Sequence, residues 1–245
     1  MRFIDSHVHL SDYPSPESVV AASRRAGVSL TACGINEPTS ARTLELAAST
    51  PDLVKAFVGV HPSDAPSAGG LDWYEGLLRR ATGAGEIGLD PKYSPVGAGS
   101  AQLAAFERQL AIAEDLGKPV QVHSRGAEAE CLGVLSKYGL KRVLMHWFER
   151  EDLVSTLVER RYFVSIGPAI LYSKKLRRVA GALERELVLT ESDGPVAFRA
   201  LEGPGGPQMI PSVVFALSEV WGSGFEEAAR QVESNTNNFL FPKKA

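Results

Sequence analysis

Short apolar runs alternate with longer helical patterns along the whole chain. The strand-like runs are 3–10, 28–35, 54–61, 85–90, 119–124, 142–147, 162–167 and 186–193, eight in all. Between them, apolar positions recur at helical spacing in 16–26, 39–49, 71–82, 100–117, 126–138, 150–160 and 173–184, and a closing pair follows near 211–221 and 224–233. Pro16 sits in a first helical turn, Gly27, Gly117 and Gly139 follow helical patterns, and Ser100 precedes one as a cap. Most of the strand-like runs are too uniformly apolar to have one wet face, as expected of parallel strands covered on both sides. Eight strand–helix units in this length predict an α/β fold of the (β/α)8 TIM-barrel type. No composition break divides the chain, so residues 1–245 are expected to form a single domain. The glycine-rich stretches SPVGAGS (94–100) and AFRALEGPGGPQ (197–208) follow the fourth and eighth strands and read as loops at the active face.

The first run breaks the apolar pattern. In FIDSHVHL, Asp5, His7 and His9 point to one side of a strand, and Ile4, Ser6 and Val8 to the other. Active sites of barrels of this type lie at the C-terminal ends of the strands. The polar residues follow that rule. His7 and His9 end the first run, His61 the third, His123 the fifth, His146 the sixth, and Glu191 and Asp193 the eighth; Glu86 lies in the fourth, with Asp90 at its end. All five histidines of the protein belong to this set. Imidazoles and carboxylates gathered in this way are what divalent cations need.

The donors also suggest how many ions. His7, His9, Glu86, His123, His146 and Asp193 exceed what one catalytic ion holds while keeping a position open. Two ions would use them, with Glu86 as the bridge. His7, His9 and Asp193 complete one ion, since the first and eighth strands are neighbours in a closed barrel. His123 and His146, on adjacent strands, complete the other. His61 and Glu191 remain for substrate or proton duties.

Composition narrows the class. A net charge of −3 and a pI near 6 argue against broad attraction to polyanions. The only cysteines are Cys33 and Cys131, which form no disulfide framework and no metal-binding CxxC pair, so a reducing compartment is expected. No leader-like segment and no long apolar run is visible, so the expectation is a cytoplasmic protein with no membrane contact and no obligate protein partner.

The motifs DSHVHL, GVHP, GEIGLD, VHSRG, MHWF and TESDGP, followed by SNTNNFLF, together resemble the successive motifs of the TatD-type deoxyribonucleases over residues 3–241. The resemblance implies a metal-dependent hydrolase of the amidohydrolase barrel class that cleaves phosphodiester bonds, typically as a DNA 3′-exonuclease. It assigns His7, His9, Glu86 and Asp193 to one metal position and Glu86, His123 and His146 to the other. DNA ends or single-stranded DNA are then the expected substrate. Imidazole-rich donors favour zinc, manganese or nickel over magnesium, whereas the resemblance implies magnesium-supported activity, so Mg2+, Zn2+ and Mn2+ are all carried.

Several positions depart from the family pattern: Trp147 after His146, Pro91 and Lys92 after GLD, Gly194 after Asp193, and EGPGGPQMIP in the loop before the last helix. They leave the ligands intact and bear on substrate. The catalytic set is expected to be Asp193, Glu86, His61 and Glu191. Asp193 orients the attacking water and takes its proton. His61 donates to a phosphate oxygen, and Glu191 either holds the substrate or backs a ligating histidine. Arg125 and Lys92 are candidate phosphate contacts, with a salt bridge to Glu128 or Glu130 as the alternative for Arg125. Trp147 and Phe148 either stack on a base or wall the barrel mouth. Asp5 is expected to orient other groups, and Cys33 to be a buried hydrophobe. The competing function is hydrolysis of a small ester, lactone or phosphoester on the same scaffold.

Overall fold

The computed structural model describes residues 2–65, 70–97, 99–198 and 204–241. Eight strands form one parallel sheet in chain order: β1 (Phe3–Val8), β2 (Val28–Cys33), β3 (Val54–Val58), β4 (Gly83–Gly88), β5 (Val120–His123), β6 (Val143–Met145), β7 (Phe163–Ile166) and β8 (Val188–Thr190). The connecting helices are α1 (Pro16–Ala26), α2 (Glu37–Ser49), α3 (Tyr74–Arg80), α4 (Ala101–Asp115), α5 (Glu128–Leu135), α6 (Val154–Glu159) and α7 (Lys174–Ala182). Two more, α8 (Ile210–Trp221) and α9 (Phe225–Leu240), close the chain. The fold is the (β/α)8 TIM-type barrel that the alternation predicts.

The seam between β8 and β1 is closed by individual bonds. Thr190 Oγ1 donates to the Ile4 carbonyl at 2.7 Å, Asp193 N to the His7 carbonyl at 3.0 Å, and His9 N to the Gly194 carbonyl at 2.8 Å. The last two pin His9, directly after β1, and Asp193, three residues past β8, at the rim. The closure of the barrel and the placement of His7, His9 and Asp193 are therefore one event.

Two register irregularities matter for the site. Pairing along β1–β2 shifts between Asp5 and Val8, and along β4–β5 between Ala84 and Ile87. An extra residue in a strand re-aims the side chains beside it. His7 sits inside the first irregularity and Glu86 inside the second. At Gly88 (φ 146°) a Cβ would overlap the His123 carbonyl oxygen, so only glycine permits this close approach of β4 to β5.

Element boundaries differ from the sequence expectation where tertiary bonds override propensity. α2 begins at Glu37 because Asn36 and Thr39 form a reciprocal cap. The largest difference is α9, which runs through SNTNNFL to Leu240, whereas the pattern predicts its end near 233. Asn235 Nδ2 donates to the Arg185 and Val188 carbonyls at 2.6 and 2.8 Å, and Thr236 Oγ1 to its own helix at Val232. These partners satisfy polar groups that local preference would place in a turn. Of the 197–208 loop, residues 199–203 lie outside the described residues, as does Ala98 in the earlier glycine-rich stretch.

Candidate active site

Glu86 stands at the centre of the mouth, 2% exposed. Its two oxygens face different histidines. Oε2 lies 3.2 Å from His9 Nε2 and 3.6 Å from His7 Nε2. Oε1 lies 2.7 Å from His123 Nδ1, 3.0 Å from His146 Nε2 and 3.8 Å from His61 Nε2. Asp193 Oδ1 closes the first side, 3.4 Å from His9 Nε2 and 3.6 Å from His7 Nε2. Donor atoms within 4.8 Å of one another form three overlapping groups: His7, His9 and Glu86; His7, His146 and Asp193; His61, Glu86 and His123. The third group includes His61, which the sequence reading set aside for substrate.

Most of these rings are held from behind. His7 Nδ1 meets Gln121 Oε1 at 2.6 Å, and His146 Nδ1 meets Glu191 Oε2 at 3.1 Å. An acceptor behind Nδ1 keeps the proton there and leaves the Nε2 lone pair facing Glu86, the form a cation needs. For His123 the sense is reversed, with Nε2 on Asp90 Oδ2 at 2.8 Å and Nδ1 facing inward. His61 differs: its Nδ1 is held by Ser63, whose Oγ lies 2.7 Å away and whose backbone N–H lies 3.1 Å away, and its Nε2 faces Glu86. His9 Nδ1 is buried without a hydrogen-bond partner. The donor set and its tautomers fit divalent cations.

Charge follows the same plan. Burial alone would lower the His9 pKa, but hydrogen bonds to Asp193 and Glu86 raise it to about 10. Burial lowers the His61 pKa to about 4, which keeps that ring neutral. Glu86 and Asp193 are both held below the usual carboxylate range: burial works against their charge, and the surrounding histidines outweigh it. Burial would raise Asp90 too, yet the bonds from His123, the Lys92 backbone and Arg125 hold it at about 2.

The remaining candidates divide. Glu191 is fully buried behind His146, accepting also from Ser165 Oγ at 2.6 Å and from the Trp147 N–H at 3.0 Å. That geometry matches the backing of a histidine and keeps it from substrate. Arg125 lines the cavity, but its partner is Asp90 at 2.7 Å rather than Glu128 or Glu130. Lys92 is exposed and is not among the cavity-lining residues; only its backbone N–H reaches Asp90, at 2.8 Å. Asp5 accepts from Ser192 N and Oγ at 2.9 and 2.5 Å, so it braces the turn that carries Asp193; burial raises its pKa to about 8. Trp147 stacks on Phe198 (centroids 5.2 Å apart) at the mouth, whereas Phe148 is wholly in the core. Trp147 and Asp193 both hold left-handed backbone, φ 45° and 48°, an uncommon state that concentrates at functional sites.

Several site residues escape the sequence reading. Gln121, Ser165, Ser63 and Tyr93 have no motif of their own. Gln121 does leave a trace, a polar residue inside the apolar run PVQVH, and a buried amide must find partners. The cavity has a volume of about 560 Å3, and Tyr93, Arg125, Trp147 and Lys175 are among its lining residues.

A parallel eight-stranded barrel with buried imidazoles and carboxylates at the C-terminal rim is the frame of a metal-dependent hydrolase. The profile described as "TatD related DNase" matches residues 4–241, and the chain belongs to that family. It is accordingly a hydrolase acting on ester bonds. Human "Deoxyribonuclease TATDN3" is 28% identical over 98% of this chain and 94% of its own length. The "3'-5' ssDNA/RNA exonuclease TatD" of Edwardsiella piscicida is 34% identical over 72% of each chain. Among solved structures, the YJJV TatD homolog of Escherichia coli K12 superposes with a TM-score of 0.83 at 25% identity, covering 97% of both chains. No helix among the described residues is long and apolar enough to cross a membrane.

Proposed function

We propose that the protein hydrolyses phosphodiester bonds at nucleic-acid ends, acting from the 3′ end of single-stranded DNA with two divalent ions. One observation carries this reading: Glu86 presents one oxygen to His7 and His9 and the other to His123 and His146. A carboxylate shared in that way suits two adjacent cations. His7, His9, Glu86 and Asp193 would hold one ion, and Glu86, His123 and His146 the other. Mg2+, Mn2+ or Zn2+ would lower the pKa of a water and offset charge on the attacking and leaving oxygens.

The chain's own groups do the rest. Asp193, kept ionised and aimed into the cavity, orients the water and accepts its proton. His61, kept neutral by burial, donates from Nε2 to a nonbridging phosphate oxygen. Glu191 acts through His146 and Trp147. The Trp147–Phe198 stack and Tyr93 offer aromatic faces to a terminal base. The relative in Edwardsiella piscicida, by its name a 3′–5′ single-stranded DNA/RNA exonuclease, supports the polarity.

The rim favours short or single-stranded substrates over long duplex. Asp12, Glu128 and Glu149 line the cavity beside Arg125 and Lys175, and both cations are engaged, by Asp90 at 2.7 Å and Glu149 at 3.5 Å. The same rim would admit a small ester or lactone, which is the second reading. The purified protein is tested on 3′- and 5′-labelled single-stranded DNA with each of the three ions, beside a lactone and a simple phosphodiester. Loss of the 3′ label first supports the proposal. Intact DNA under every ion, with the lactone opened, overturns it.

A further inference from the structure

We propose that Gln121 is a positioning residue that fixes His7 with its proton on Nδ1 and its Nε2 lone pair aimed at the metal position. The inference rests on the metal-centre reading above and adds to it a residue that never touches the ion.

Gln121 lies in β5 and is fully buried, two residues before His123 and on the interior of the barrel beneath the mouth. Its amide makes three contacts. Nε2 donates to the Ser6 carbonyl at 2.8 Å, Oε1 meets His7 Nδ1 at 2.6 Å, and the Cys33 thiol donates to the same Oε1 at 3.0 Å. The Ser6 carbonyl decides which way the amide faces. Turned over, Gln121 would set two oxygens against each other at Ser6 and an N–H against the thiol. With Nε2 committed, the atom presented to His7 is an acceptor, so His7 Nδ1 must carry the proton. Because Ser6 is the neighbour of His7 on β1, one side chain fixes both the ring and the backbone next to it.

The other inward rings make the arrangement specific. His146 and His123 are backed by carboxylates, Glu191 and Asp90. His7 alone of the three is backed by an amide. His7 is also the ring that appears in two of the three donor groups. A carboxylate behind it would add a negative charge to an interior that already holds the ionised Glu86 and Asp193. An amide gives the same tautomer without that charge.

The test uses the full chain with 15N-labelled histidine, zinc as the probe and a chelator series to read affinity. The His7 ring signal is identified by difference against His7→Gln. In the zinc-loaded wild type, His7 should show a ring proton on Nδ1 that exchanges slowly with water. Gln121→Met, similar in volume but with no amide, should lose that protection and bind zinc about tenfold or more weakly, the scale set by partners behind metal ligands. Gln121→Glu should restore both, since a buried protonated carboxyl accepts from His7 with one oxygen and donates to Ser6 with the other. Slow exchange and wild-type affinity persisting in Gln121→Met would overturn the proposal, as would equal losses in both variants. Should Gln121→Met not fold, the wild-type spectrum decides: a His7 proton on Nε2 refutes the assignment. Failure of the wild type to take up zinc, manganese or magnesium would instead remove the metal reading itself, a distinct outcome.

Discussion

The inside of this barrel is two regions stacked along one axis, and they are built on opposite rules. The deeper region is apolar: Cys33, Phe57, Leu144, Phe163 and Leu189 from five strands meet Phe239 and Leu240 from the end of α9. Phe239 lies 5.9 Å from the Phe57 ring and 5.6 Å from Phe163. Arg142 donates to the Phe239 and Leu240 carbonyls at 3.2 and 2.8 Å, so the helix end is capped where it enters the plug. The mouth holds five imidazoles and at least as many carboxylates, equally buried, with few apolar contacts among them. The plug gains free energy by excluding water. The mouth charges much of that gain back in desolvation, and its side chains stay in place through hydrogen bonds from the layer between, chiefly Gln121, Ser165 and Ser192. The contrast teaches that stability and chemistry are separable here although they share the same strands.

Mutation at Glu86 should break the mouth most severely. Glu86→Gln keeps the shape but removes the charge that both sets of histidines face. Hydrolysis should fall on the order of a thousandfold, comparable to losing a main electrostatic stabiliser of a transition state, while circular dichroism stays unchanged. Activity within tenfold of wild type would place the chemistry elsewhere. The mirror experiment is Phe239→Ala in the plug. It should cost about 3–5 kcal/mol of stability, as large aromatic truncations in cores do, read as a shifted urea midpoint. The folded fraction should still take up zinc with near wild-type affinity. Joint loss of stability and zinc binding would show that the two regions are coupled.

The separation also explains what could be read from the chain. The barrel and the gathering of histidines and carboxylates at its mouth were legible because each has a local signature: eight apolar runs, and histidines confined to their ends. Asp90 was visible at its strand end, yet its two partners, His123 and Arg125, were not. The pairing depends on the turn after β4, where the Lys92 N–H and Gln102 shape the backbone. Gln121 and Ser165 were missed because single polar residues in apolar strands carry no spacing of their own. The extension of α9 was hidden because Asn235 and Thr236 find partners only in the folded barrel. Lys92 is the converse case. Its position next to GLD suggests a substrate contact, and the structure places it in solvent outside the cavity lining.

Acidity should sharpen the contrast more gently. The His9 pKa of about 10 in the metal-free protein lies above the ordinary histidine value, so its proton stabilises the fold below about pH 6.5 and that contribution disappears as pH rises through about 10. A cation needs the same nitrogen unprotonated. Raising pH from 6 to 9 should therefore weaken the metal-free protein and tighten zinc binding together. The gap in melting temperature between zinc-loaded and metal-free samples should widen over that range. A gap that is constant or narrows would show that His9 is not a ligand. The plug, having no titrating partner besides the buried Cys33 thiol, which burial keeps protonated, should contribute nothing to the trend.

Arg125 offers the smallest and most discriminating effect, because it lies at the rim where the mouth meets solvent. Its side chain is 51% exposed and paired with Asp90, which is itself buried and also bonded to His123. If the guanidinium merely steadies Asp90, Arg125→Ala should act on His123 and lower kcat, with no dependence on the substrate's charge. If it also reaches phosphate, KM for single-stranded DNA should rise severalfold and the slope of log affinity against log salt should drop by about one. A neutral ester should then be turned over as before. Both effects can be separated in one variant, since support of His123 is read in kcat and phosphate contact in KM and its salt dependence. A change in KM that disappears at high salt would assign Arg125 to substrate. A salt-independent loss of kcat on every substrate would assign it to the support of His123 alone.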